Sequence, residues 1–165
     1  MDTGRRRVAA LRGLRRRGRE GEQLNAGAGA VVLVGRVLFS IFFVRSGWGH
    51  LTKGKGMIGY AETAGLPAPY LAGWPSGVWL LAASASIALG IWPDIGALMA
   101  GAFVIPAAWY FHRFWTIDDP GQKQAQSASF YRNVEILGAS LVMFGLFASA
   151  GNGLRFTLTG PLARW

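Results

Sequence analysis

The stretch GRVLFSIFFVRSGWGHLTK, residues 35–53, decides how this chain is built. It completes an apolar run that begins at Ala28. About 20 apolar residues, rising about 1.5 Å each, are enough to cross a bilayer. Yet Arg45 lies inside the run, and Gly47, Trp48, Gly49 and His50 follow directly. A charge at membrane depth is costly even on lenient scales, so it turns toward a bundle interior, a partner or the headgroups. The first crossing therefore carries a candidate site at its end.

Working outward, the composition agrees with a membrane protein. The 165 residues are 52% hydrophobic and only 15% charged, with a mean hydropathy of +0.29. A soluble domain carries about 25% charge. Further apolar stretches and 24 glycines point to helices packed closely in lipid. The expected fold is all-α: a polytopic membrane protein, a four-transmembrane-helix bundle with a disordered basic N-terminal tail. The tail covers 1–27, the bundle 28–150 and a short C-terminal tail 151–165. Spans are expected at about 28–51, 71–92, 95–115 and 130–150.

The net charge of +9 is mostly a property of the tail, where eight of the 17 Lys/Arg lie between positions 5 and 19. Beside a transmembrane helix, such a cluster sets orientation and attracts anionic lipid. Nucleic acid is not the expected partner. Gly4, Gly13, Gly18 and Gly21 favour disorder over a surface helix built on Val8, Leu11 and Leu14. A cleaved secretory signal is not expected, because the apolar run is too long and no small-residue cleavage site follows it. With the tail cytoplasmic, four crossings return the C-terminus to the cytoplasm. The expected location is a bacterial inner membrane, crossed several times.

The connection over 52–70 is polar and glycine-rich, with a short amphipathic segment over 57–64, and closes on Pro67 and Pro69. In the second span Ala82, Ser86 and Gly90 recur every four residues, a ridge suited to close helix packing. Pro93 stops that span and Asp94 is placed to cap the next. Pro106 is expected to bend the third span, which ends in the aromatic-basic cluster WYFHRFW, residues 109–115. Residues 116–129 show no periodicity and read as a polar loop.

Whatever the orientation, the ends of spans one and three and the starts of spans two and four share one membrane face. Arg45, Trp48, His50, His112, Trp115, Asn133 and Glu135 fall there and form the candidate ligand-binding set, while the other face offers little beyond Arg36 and Asp94. Arg45 and Glu135 lie at matched depth, roughly 8–9 Å below the surface, and are expected to pair, unless Arg45 snorkels to the headgroups. His50 and His112 are the only histidines. Two imidazoles facing across a bundle are of the type that ligates haem, but the stronger expectation is a polar role in a quinone-sized pocket. The chain has no cysteine, which excludes thiolate catalysis, iron–sulfur ligation and cysteine zinc sites. No metal site is expected. No nucleotide-binding glycine loop, HExxH or nucleophile elbow is present, and no catalytic residue can be assigned.

Four segments taken together, GRVLFSIFFVRSGWGHLTK (35–53), AGLPAP (64–69), FHRFW (111–115) and FYRNVEILG (130–138), resemble the DoxX family of small four-helix bacterial membrane proteins. The resemblance covers roughly residues 33–150. Relatives often carry a glutamate early in the second span; here that region reads WLLAASASIALG, without a carboxylate. The resemblance implies a membrane subunit of a quinone-linked redox complex, partnered by soluble redox or sulfur-transferring enzymes. Trp48 and Trp115 would then stack on a quinone ring, Arg45 or a histidine would hydrogen-bond an oxygen, and Glu135 would tune or relay a proton. The rival readings are a non-enzymatic scaffold for soluble partners and a small-molecule or lipid transporter. Homo-oligomerisation is left open.

Overall fold

The computed structural model describes the backbone of residues 3–163 and the side chains of residues 27–163. Five helices follow in order: α1 (Thr3–Thr52), α2 (Gly54–Thr63), α3 (Trp74–Leu89), α4 (Pro93–Phe111) and α5 (Pro120–Ala150). Short 3-10 turns occupy Pro69–Ala72, Phe114–Thr116 and Gly151–Gly153. Among the described residues there is no strand, only one isolated bridge between Ile91 and Gly160. The all-α reading holds, and three segments are long and apolar enough to cross a membrane: Gly27–Thr52, Pro93–Thr116 and Pro120–Gly153.

Helix α3 is the exception. It is apolar but has 16 residues, about 24 Å of helix, because Pro75 opens it and Gly90 (φ +69°) closes it. The 3-10 turn at Pro69–Ala72 takes up the start of the span expected from residue 71. At the other end of the chain, the backbone continues α1 back to Thr3 where disorder was expected over 1–27. Ala, Leu, Arg and Glu are strong helix formers, and a helix already nucleated by packed turns extends at little cost per residue. What the tail arginines touch lies outside the described residues.

The loop expected over 116–129 is also shorter than its polarity implies. Asp119 caps α5 by accepting the Gln122 N–H at 2.8 Å, and Pro120 fills the first helical position. A good cap, a proline at that position and Gln, Ala and Lys behind it start a helix without any apolar periodicity.

Helix α1 packs on α3, α3 on α4, and α4 on α5. On α1 the buried stripe is Arg36, Ser40, Phe43 and Gly47, the helical spacing of one face. Gly47 meets Gly77 of α3 so closely that a Cβ on Gly47 would lie 2.9 Å from the Gly77 carbonyl oxygen. Phe43, Leu80, Ile87, Ala100 and Val104 form the core, and Ile136, Leu137 and Met143 of α5 pack against it. Of the expected ridge on α3, Ser86 faces Gly96 and Gly90 turns the corner, whereas Ala82 is exposed.

Asp94 does not cap α4 as its position suggests. It is fully buried, and its carboxylate accepts the backbone N–H groups of Leu162 (3.0 Å) and Ala163 (2.7 Å). The C-terminal segment thus folds back across the end of the bundle away from His50 and His112. Leu158 and Thr159 donate to the carbonyls of Leu89 and Gly90, both at 3.2 Å. Arg36, 1% exposed, donates to Ile87 (2.7 Å), Ala88 (2.8 Å) and Phe156 (2.9 Å) carbonyls. One guanidinium therefore satisfies the open carbonyls at the end of α3 and ties the returning chain to it.

Candidate functional site

At the shared end of the bundle lies a cavity of about 460 Å³. Helix α1 contributes Phe42, Ser46 and His50, spaced four residues apart and so on one face. Ser76 of α3, Phe103 and Phe111 of α4, His112 just beyond it, and Asn133 of α5 complete the walls. The cover comes from α2, through Met57 and Tyr60, and from Leu66, Pro67 and Ala68 behind it. Tyr60 stacks on Phe111 at 5.1 Å, and Arg113 donates to the Ala64 carbonyl, fastening the cover to the end of α4. Gly65, at φ +74°, makes the turn between α2 and Leu66, a conformation that favours glycine.

The polar groups in this chamber have defined states. His50 Nδ1 lies 2.6 Å from the Ala72 carbonyl oxygen and 2.7 Å from Ser76 Oγ. A carbonyl only accepts, so Nδ1 carries the hydrogen; the Ser76 hydroxyl in turn donates to the Gly73 carbonyl at 2.9 Å. In the neutral ring Nε2 is then left as an acceptor. The ring is held edge-on to Phe103, centroids 5.8 Å apart. His112 Nδ1 pairs with Gln126 Oε1 at 2.8 Å, which assigns its Nε2 the same acceptor role. Asn133, 8% exposed, donates one N–H to the Ser129 carbonyl at 3.2 Å.

Three of the seven expected site residues line the cavity: His50, His112 and Asn133. Arg45, Trp48, Trp115 and Glu135 do not. The cause is helical phase. At about 100° per residue, Arg45 and Trp48 are turned away from the face that carries Phe42, Ser46 and His50, and Glu135 is turned away from Asn133. Arg45 and Glu135 are both exposed, and among the described residues they do not pair with each other. Trp48 is 64% exposed. Trp115 belongs to a rim cluster with Trp109, Phe114 and Phe130, centroids 5.2 to 5.7 Å away. The rings that do face the chamber are Phe42, Phe103, Phe111 and Tyr60.

Ser46, Ser76, Tyr60 and the AGLPAP segment were not anticipated as parts of a site. In the sequence the segment stands out as a family pattern and as the proline close of the connection, whereas in the fold its Leu66, Pro67 and Ala68 line the cavity. Proline beside a glycine between two apolar helices is the local signal that this connection is built rather than loose. Ser76 carries no such signal, since its role exists only through His50.

A helical bundle with membrane-length spans and a ligand-sized apolar cavity between its helices defines a polytopic membrane protein. A family model for DoxX matches residues 31–113, just over half of the chain. The chain belongs to the DoxX family. The matched region supplies α1 from Val31, the cover, α3, α4 and both histidines, whereas Asn133 lies beyond it. No match was found among curated proteins or among solved structures.

Proposed function

We propose that this chain is the membrane subunit of a quinone-linked redox complex and that its cavity receives the quinone ring. The observation that carries the reading is His50, whose Nδ1 is tied to the wall by Ala72 and Ser76, leaving Nε2 for a ligand oxygen. A small number of fixed polar groups in an otherwise apolar chamber of this size is the usual makeup of a small-molecule site. The rings of Phe103, Phe111 and Tyr60 supply apolar surface, and His112 and Asn133 supply polar contacts for a second oxygen.

Reducing a quinone to a hydroquinone takes two electrons and two protons. A neutral His50 accepts the O–H of a hydroquinone, and a protonated one donates to a quinone carbonyl. The chain carries no cysteine, so sulfur chemistry falls to a soluble partner enzyme, which in this reading also supplies the electrons. The eight tail arginines favour a bacterial inner membrane with both termini cytoplasmic and the cavity end outward.

The test is purification in mild detergent, followed by solvent extraction and an absorbance spectrum. Quinone should co-purify with the wild-type protein and be lost from His50→Phe. A Soret band would replace quinone with haem. Absence of both, with partner proteins still recruited, would overturn the reading in favour of a scaffold.

A further inference from the structure

Two charged side chains of the long apolar helices lie outside the site just described and lack partners within the described residues. Arg45 on α1 and Glu135 on α5 are exposed, and among the described residues neither makes a hydrogen bond or an ion pair. Both lie within segments long and apolar enough to cross a membrane. Both lie near the cavity: Ser46 and Asn133 line it, and Arg45 and Glu135 follow one and two residues farther from the cavity end, about 1.5 and 3 Å. Arg132, three residues before Glu135, gives its Nη2 to Ser129 Oγ at 3.0 Å. Lipid covers the exposed valines and leucines of these helices, whereas a guanidinium or carboxylate at that depth is costly unless it reaches the headgroups or a partner.

We infer that the α1 face around Arg45 docks on the α5 face around Glu135 of a second copy, with the two side chains forming an ion pair between copies. Copies of one chain insert with the same orientation. Helix α1 runs toward the cavity end and α5 away from it, so the two faces meet antiparallel. Setting Arg45 opposite Glu135 brings Ile41 to Ala139, Leu38 to Val142 and Val34 to Leu146. Ile41, Leu38 and Val34 are each more than half exposed. Ala139, Val142 and Leu146 are exposed as well. The two exposed apolar faces thus meet in the register that the charges set, and van der Waals packing between them adds to the pair. Removed from water, opposite charges attract strongly once in contact.

The absence of cysteine makes a direct test clean. Two differently tagged full-length copies, one carrying Leu38→Cys and the other Val142→Cys, are co-expressed and oxidised in native membranes with copper–phenanthroline. A disulfide product bearing both tags is expected, and none from either variant expressed alone. Adding Arg45→Glu to the first copy should lower that product about tenfold, and adding Glu135→Arg to the second should restore it. Absence of the mixed product, a product from one variant alone, or a yield indifferent to the charge reversal would each overturn the docking.

Discussion

Asp94 holds the backbone N–H of Ala163 at 2.7 Å across a sequence separation of 69 residues. The same carboxylate takes the Leu162 N–H at 3.0 Å, so a fully buried charge is matched by main-chain donors of the returning C-terminal segment. Buried carboxylates persist only where such donors meet them. Asp94→Ala should release this segment and cost on the order of 1–3 kcal/mol. Limited proteolysis of the detergent-solubilised protein should then trim the chain after α5, with α1–α5 left intact.

Arg36 closes the same end by donating to three carbonyls, two on α3 and one on the returning chain. Arg36→Met keeps much of the volume but strands those acceptors in a buried setting. The loss should be about 3 kcal/mol or more, and Arg36→Lys should recover only part of it, since an ammonium cannot reproduce the planar fork. Thermal unfolding followed by size-exclusion chromatography measures both.

Glycines on α1 should divide by what lies opposite them. Gly47→Ala puts a Cβ 2.9 Å from the Gly77 carbonyl oxygen and should destabilise by about 1–3 kcal/mol. Gly49→Ala meets nothing within 4 Å and should be neutral or stabilising by up to about 1 kcal/mol. The opposite signs are readable in one pair of thermal scans.

The cover over the cavity rests on Tyr60 against Phe111 and on Arg113 at the Ala64 carbonyl. Removing either contact should widen access to the cavity. With Ser46→Cys as the sole thiol, maleimide labelling should run about tenfold faster in an Arg113→Ala or Tyr60→Ala background. An unchanged rate would show that the cover does not control entry.

Inside the chamber, Ser76→Ala leaves His50 bonded to Ala72 but removes one of its two wall contacts. Quinone retention should weaken about fivefold, the size of one neutral hydrogen bond, whereas His50→Phe should abolish it. Equilibrium titration with a soluble short-chain quinone separates the two variants.

Much of this architecture was legible beforehand, because hydrophobic length is a local property of the chain. Arg45, His50, His112, Asn133 and Glu135 could be assigned to one end by counting crossings alone. Counting does not give azimuth. On α1 the difference between facing the chamber and facing lipid is one residue, Arg45 against Ser46. That difference is set by which face packs on α3 through Gly47 and Gly77. The polar start of α5 was missed because its helix follows from a cap at Asp119 rather than from apolar periodicity.

Composition and apolar run length by themselves determined an all-α membrane protein and the end at which its imidazoles gather, since lipid demands long apolar helices with satisfied backbones. Tertiary structure alone decided that His50 and not Arg45 faces the chamber, that Ser76 fixes its ring, and that Asp94 and Arg36 bind the C-terminal segment. Each of these depends on groups distant in sequence meeting within hydrogen-bond reach, and helix packing, not any local pattern, sets those distances.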